Sequence, residues 1–445
     1  MKKLFGTDGI RGVAYTEINK ELIIKLSKAL AYIYNNKDIK IIIGNDGRES
    51  SGMILDTLIK ELTNNGICIL DAGLIPTPGI AYLVKYYNYD LGIMISASHN
   101  SYEYNGIKIF DNNGHKISDK EELNIERLIL DNIVYHSTKK GRVLARRDVI
   151  KDYGDFLLSS LNKYNSNINY NKLNIVIDTS NGASSIISEY VFSRLGCKYH
   201  IINNKPNGTN INNNCGSVHP EVLREYVLNN KLDLGIAYDG DSDRIILIDE
   251  LGNIIDGDYI LAIISKDLKG KNKLNNNTIV GTIMSNLGLI EYCKNNNIEF
   301  ISTEVGDKYI EEYLNKYNLP LGGESSGHII LKEYQTTGDG LLISLIILSI
   351  IIKNNTSLSS LTKIINKYPE VSINIKVNNK NDFYNDAIED KINKIKISLG
   401  DTYKVVVRPS GTEPLIRIKI EGRDTKILEK TASEIKDIII KYTRR

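Results

Sequence analysis

The sequence predicts an α/β protein: three α/β units in series, closed by a smaller α+β domain. Short β-rich runs alternate with longer helical patterns over most of the chain, the rhythm of parallel strands joined by covering helices. After Lys367-Tyr368-Pro369 that rhythm gives way to alternating strand patterns. The 445 residues also exceed one core, since a domain takes roughly 100–200 residues.

In the first unit, Ile41-Ile42-Ile43 centres a buried strand, followed by a Gly/Asp turn and a helical pattern over 51–64. Residues 67–70 and 91–95 are the next strands. In the second unit a strand over 173–177 ends in Asp178-Thr179-Ser180-Asn181-Gly182, followed by a helical stretch to Leu195. A strand over 234–238 runs into an Asp-rich loop, and 245–248 reads as a further strand. The third unit has an Asn/Lys-rich surface loop at 269–277 and a strand at 278–283. Its apolar run over 341–352, broken by Ser344 and Ser349, is too short to span a bilayer and reads as a buried helix. Strands at 371–377, 403–407 and 415–421 form the last domain. The expected boundaries are 1–155, 156–255, 256–368 and 369–445. No strict sequence repeat is present, so kinship between the units would be structural.

Composition excludes more than it assigns. Apolar residues make up 42% and charged residues 25%, ordinary for a globular protein. A net charge of +2 gives no global field for nucleic acid or a membrane surface. Cys68, Cys197, Cys215 and Cys293 form no C-x-x-C pair and have no histidine partners at zinc spacing. Scattered thiols and a start without an apolar h-region lead us to expect a cytoplasmic protein.

The chemistry concentrates in a few loops. Asp239-Gly240-Asp241-Ser242-Asp243-Arg244 spaces three carboxylates at i, i+2 and i+4 directly after a strand. Such a loop can converge on one hard cation, and Mg²⁺ takes oxygen ligands from few protein groups. A calcium EF-hand is disfavoured, because Arg244 stands where the sharp turn needs Gly and a strand follows. A solvated acidic turn is the alternative. Ser98, in Ser96-Ala97-Ser98-His99-Asn100, lies just past a strand's C-terminal end, where α/β sheets place ligands. It is a candidate nucleophile or a plain turn serine. It lacks the G-x-S-x-G elbow of hydrolases. His99 could orient a phosphate, and Lys108 in Asn105-Gly106-Ile107-Lys108 could bring a cation or an acid/base group to the same loop, or lie on the surface. Gly6-Thr7-Asp8-Gly9-Ile10-Arg11-Gly12 is rich in backbone donors and carries Arg11. Gly322-Gly323-Glu324-Ser325-Ser326-Gly327-His328 suits sugar hydroxyls or an amine. Arg408-Pro409-Ser410-Gly411-Thr412-Glu413-Pro414 suits a phosphate. With no P-loop and no G-x-G-x-x-G, no nucleotide is implied.

Taken in chain order, Phe5-Gly6-Thr7-Asp8-Gly9-Ile10-Arg11-Gly12, the Ser96–Asn100, Asp239–Arg244 and Gly322–His328 segments, and Arg408-Pro409-Ser410-Gly411-Thr412-Glu413-Pro414 resemble the α-D-phosphohexomutase superfamily. Asn214-Cys215-Gly216-Ser217-Val218-His219-Pro220-Glu221, Gly281-Thr282-Ile283-Met284-Ser285-Asn286-Leu287-Gly288 and Thr336-Thr337-Gly338-Asp339-Gly340 resemble its phosphoglucosamine mutase branch. The resemblance implies mixed, largely parallel sheets in three related units, with four domains around a central cleft. It implies interconversion of glucosamine 6-phosphate and glucosamine 1-phosphate through phosphorylated Ser98 and a 1,6-bisphosphate. One Mg²⁺ per subunit would be held by Asp239, Asp241, Asp243 and a phosphoserine oxygen at Ser98, with a hexosamine or hexose 1,6-bisphosphate as activator. Arg11, Lys108 and His99 would assist catalysis. Thr7, Glu324, Ser326 and His328 would meet the sugar. Arg408, Ser410, Gly411 and Thr412 would grip the phosphate that is not transferred. The partner is a small-molecule phosphosugar, and a homodimer is left open. A phosphomannomutase/phosphoglucomutase and a non-catalytic sugar-phosphate-binding protein are the other readings.

Four positions depart from the family pattern, one of them Ser302, which stands where an Arg is often seen near Lys308. Ser101 replaces a usual Pro and frees the loop backbone. Ser325 replaces a Gln of the sugar loop. Lys308 replaces an Arg, keeping the charge and losing the bidentate fork.

Overall fold

The computed structural model describes residues 4–35, 38–145, 147–400, 402–410 and 415–443. Its strands are β1 (Phe5–Gly6), β2 (Gly9–Val13), β3 (Lys40–Asn45), β4 (Cys68–Leu74), β5 (Leu91–Ile95) and β6 (Tyr104–Phe110) in the first unit. The second unit has β7 (Asn174–Asp178), β8 (Lys198–Ile202), β9 (Leu234–Tyr238), β10 (Ile245–Asp249) and β11 (Ile254–Ile255). The third has β12 (Thr278–Thr282), β13 (Glu299–Thr303), β14 (Leu321–Gly323) and β15 (Ile329–Leu331). The last has β16 (Glu370–Lys376), β17 (Lys404–Pro409) and β18 (Leu415–Glu421).

The first three units share one topology. Their sheet orders contain β6-β5-β3-β4, β10-β9-β7-β8 and β15-β14-β12-β13. In each, three parallel strands form the heart of the sheet and an antiparallel strand flanks the third. A helix precedes the second and the third strand of every unit, as a parallel crossover requires. The kinship anticipated from the absence of a sequence repeat is therefore topological. Its functional product is one equivalent loop per unit, between the third strand and its antiparallel neighbour: β5 to β6, β9 to β10, and β14 to β15. Each of these loops turns through a residue of positive φ, namely Ser98 (53°), Ser242 (59°) and Gly327 (93°).

The strand runs read from the sequence are present, with ends shifted by a few residues. The helix Ser51–Asn64 coincides with its predicted span. The helix Gly340–Lys353 is buried all round and joins the largest core, which runs through the first three units. The last domain packs an antiparallel sheet, β16-β18-β17, on its own core with the helix Thr425–Thr443. Two segments read as loops are largely strand: β2 contains Arg11, and β6 contains Lys108. They pair with each other, which extends the first sheet beyond its parallel heart. The boundary expected at 155/156 falls inside the helix Val149–Tyr164, which packs on Ser184–Leu195 of the second unit.

Candidate active site

The β5–β6 and β9–β10 loops meet face to face. Ser98 is fully buried, and its Oγ donates to Asp239 Oδ2 at 2.6 Å. One carboxylate oxygen from each of Asp239, Asp241 and Asp243 lies within 4.8 Å of the others. Asp241 Oδ1 and Asp243 Oδ1 are buried without a hydrogen-bond partner. Burial, then the charges of Asp243 and Asp241, push the Asp239 carboxyl well above the usual carboxylate range. Three buried carboxylates with two unsatisfied oxygens fit a hard cation.

Lys108 reaches the same carboxylates from β6. It is 1% exposed, and its Nζ lies 2.8 Å from Asp241, 3.0 Å from Asp243 and 2.9 Å from Asp8. Burial opposes its charge, yet Asp241, Asp243 and Asp8 hold its ammonium well above the ordinary lysine value. Of the readings open for Lys108, the surface lysine is excluded: it is a buried cation carried by a strand. Arg11, on β2, is held by Asp8. Asp8 also takes Lys116, whose other partner is Asp307 of the third unit. Arg244 lies near Asp243, Asp239 and Glu324, and its charge is strongly retained despite burial.

His99 is half-buried, with Nδ1 buried and unpartnered. Burial, then the positive charges of Arg244 and Arg11, bring its pKa down to about 3, so the ring is neutral. Arg244, Arg11 and Lys108 therefore surround the nucleophile loop with positive charge, an environment suited to a phosphoryl group.

The β14–β15 loop completes the side facing the metal loop. Glu324 Oε1 accepts from Gly306 N–H at 3.3 Å. Ser326 Oγ is buried without a partner. His328 is 2% exposed; its Nε2 accepts from Gly338 N–H at 3.0 Å, and its Nδ1 lies 3.7 Å from Asp243. His328 thus sits behind the Asp239–Asp243 loop, beside Asp243. Thr7 is exposed in the β1–β2 turn opposite Gly306, where an added Cβ would lie 3.7 Å from Thr7 Cβ. Arg408 closes β17 beside Arg417 of β18, and its Nε is buried without a partner. Burial, then Arg417, lower its pKa, while Glu324 and Glu304 act in the opposite direction. The last domain therefore brings a cation near the sugar-suited loop. Ser410 is buried, its N–H donated to Leu415 O at 2.7 Å. Gly411 and Thr412 lie outside the described residues. Lys308 turns to Asp119 of the first unit at 3.1 Å, so its charge goes to an inter-domain pair.

Four models of the phosphoglucomutase/phosphomannomutase family match in chain order: alpha/beta/alpha domain I at 2–135, domain II at 151–252, domain III at 256–368 and the C-terminal domain at 373–438. The chain belongs to this family. A curated phosphoglucosamine mutase of Caldicellulosiruptor bescii is 46% identical over 99% of each chain. A solved phosphoglucomutase/phosphomannomutase family protein from Burkholderia thailandensis has the same fold, with a TM-score of 0.79 at 20% identity, covering 99% of this chain and 98% of that one. Aspergillus fumigatus N-acetylphosphoglucosamine mutase, solved in complex with GlcNAc-6P and magnesium, has a TM-score of 0.71 at 15% identity, covering 100% of this chain and 96% of that one.

Several residues that build this family site were not singled out from the sequence. Asp8 lies inside the β1–β2 turn motif, but its value depends on Lys108 and Lys116, both far along the chain. Thr77, which donates to Asp241, is the first residue of the helix Thr77–Tyr86 and carries no local signature. Arg48 and Asp46 sit in the Gly/Asp turn after β3, where an Asp-x-Arg pair was the available signal.

Proposed function

We propose that this chain is a phosphoglucosamine mutase, interconverting glucosamine 6-phosphate and glucosamine 1-phosphate through phosphorylated Ser98 and a 1,6-bisphosphate. The observation that carries the reading is the hydrogen bond from Ser98 Oγ to Asp239, inside a ring of Arg11, Arg244 and Lys108. The 46% identity to a curated phosphoglucosamine mutase supports the amino-sugar substrate.

In the forward step the Oγ–P bond of phosphorylated Ser98 breaks as a P–O bond to the sugar hydroxyl forms, and the hydroxyl proton ends on the freed Ser98 Oγ. Reorientation of the bisphosphate lets its other phosphoryl group return to Ser98. Arg11, Arg244 and Lys108 stabilise the negative charge of the group in flight. Lys108 acts as a fixed cation because three carboxylates hold its proton. Asp239, Asp241 and Asp243 would hold one Mg²⁺ per subunit together with a phosphoserine oxygen. When bound, the ion supplies charge neutralisation at the phosphoryl group. Glu324, Ser326 and Thr7 face the sugar. Arg408, Ser410, Gly411 and Thr412 take the phosphate that stays on it. A trace of hexosamine or hexose 1,6-bisphosphate primes unphosphorylated enzyme. We place the enzyme in the cytoplasm.

The test is turnover of glucosamine 1-phosphate against glucose 1-phosphate and mannose 1-phosphate, each with a trace of the bisphosphate. Glucosamine 1-phosphate is expected to give the highest kcat/KM. A neutral hexose phosphate used better by orders of magnitude would make the chain a phosphomannomutase/phosphoglucomutase instead.

A further inference from the structure

The backbone of the nucleophile loop is gripped by one buried side chain. Arg48 is 2% exposed and lies in the turn after β3. Its Nη2 donates to the carbonyl oxygens of Ser98 at 2.8 Å and Asn100 at 2.9 Å. Its Nη1 donates to the carbonyls of Tyr104 at 3.0 Å and of Ser101. Its Nε donates to Asp46 Oδ2 at 2.9 Å. A guanidinium has five N–H groups, and these five bonds account for all of them. Arg48 therefore has no donor left for a phosphate.

The same cluster holds Ser98 from its other side. Asp46 Oδ2 accepts from Ser96 Oγ at 2.7 Å, and Ser96 Oγ accepts from Ser98 N–H at 2.8 Å. Asn212 of the second unit adds bonds to Ser98 O and Asn100 O, each at 2.9 Å. Ser98 has a φ of 53°, a conformation that a non-glycine residue keeps only where its surroundings over-determine it. The grip also answers the expectation at Ser101. Without a proline ring the backbone there would be freer, but Arg48 holds the Ser101 carbonyl directly.

We propose that Arg48 is a positioning residue for phosphoryl transfer: it fixes the loop between β5 and β6 so that Ser98 Oγ points at Asp239. The proposal rests on the reading of Ser98 as the phosphorylated nucleophile. A residue of this kind acts on the chemical step more than on substrate affinity, because a small misplacement of the reacting atom costs rate.

The experiment uses Arg48→Lys, which keeps the charge beside Asp46 and loses the fork, and Ser96→Ala, a milder change to the same cluster. For wild type and both variants, kcat and KM for glucosamine 1-phosphate are measured alongside the melting temperature. Intact mass with site mapping gives the fraction of chains phosphorylated at Ser98. The expected result is that kcat per phosphorylated chain falls about 10- to 100-fold in Arg48→Lys and by a smaller factor in Ser96→Ala, with KM within about threefold. If the variants lose only melting temperature or yield, and kcat per phosphorylated chain is that of wild type, Arg48 merely stabilises the fold and the proposal fails. If Arg48→Lys does not fold, an unchanged kcat in Ser96→Ala overturns the proposal in the same way. A wild type that turns over without phosphate at Ser98 overturns the parent reading, whatever the variants do.

Discussion

Ser98 Oγ lies 2.6 Å from Asp239 Oδ2, which joins a hydroxyl of the first domain to a carboxylate 141 residues further along, in the second. The contact exists because the two domains share a topology that puts an equivalent loop at the same end of each sheet. The proposed nucleophile and a carboxylate of the candidate cation cluster are thereby brought together without either domain holding a complete site.

Asp241 uses one oxygen for Thr77 and Lys108 and leaves the other buried and unpartnered. Asp241→Asn can keep the Thr77 bond while losing the charge. We expect kcat to fall about 100-fold or more, far-UV circular dichroism to stay native, and half-maximal activity to need more Mg²⁺. An unchanged Mg²⁺ dependence would count against the metal assignment.

Lys108 is the buried counter-charge of Asp8, Asp241 and Asp243. Lys108→Met leaves those carboxylates without it, which should cost about 3–5 kcal/mol in metal-free buffer. Added Mg²⁺ should then raise the melting temperature more in the variant than in wild type. Equal shifts in the two proteins would show that Lys108 and the metal do not share these carboxylates.

Gly240 lets the β9–β10 loop lie against the β5–β6 loop. A Cβ there would stand 2.7 Å from Ser98 O and 2.8 Å from Ile211 Cδ1. Gly240→Ala should force the loops apart and lower kcat about 10- to 100-fold. The contradicting result is a variant with wild-type kcat, which would mean that the loops tolerate separation.

His115 pairs with Glu311 across the first and third domains. The Glu311 hydrogen bond, against burial and with help from the Glu311 charge, raises the His115 pKa. A raised histidine contributes stability that is full below its unfolded pKa, about 6.5, and is lost as pH rises through the folded value. The melting-temperature gap between wild type and His115→Gln should therefore be widest near pH 6 and close toward pH 9. The pair is partly exposed, so the gap should be small and salt-sensitive. A gap that grows with pH would reverse the assignment.

The residues legible in the sequence were those whose chemistry is local. Three aspartates within five positions announce a cation loop wherever the strands lie. Ser98 became legible through the company of the other segments. Lys108 was harder to place, because the Asn-Gly in Tyr-Asn-Gly-Ile-Lys-Ile-Phe reads as a turn and its strand is defined by pairing with a segment near residue 10. Arg48 had only the local Asp-x-Arg pair as a signal, since four of its five partners are backbone carbonyls 50 to 56 residues away. The resemblance implied His328 as a sugar contact, and the packing turns its ring to Asp243 and Gly338. The kinship of the three domains was legible only through the family resemblance, and their strand order was not, because it is set by pairing and not by residue identity.

The central claim is that Ser98 carries the phosphoryl group and gives it to the sugar. Intact mass with site mapping of enzyme carrying an 18O-labelled phosphoryl group, before and after mixing with excess glucosamine 6-phosphate, tests it most directly. The account predicts one phosphoryl group on Ser98 whose 18O label passes to the sugar on mixing, while unlabelled phosphate from the substrate returns to Ser98. A wild-type chain that interconverts the two phosphates while Ser98 stays unmodified, or a Ser98→Ala variant with full activity, would contradict it.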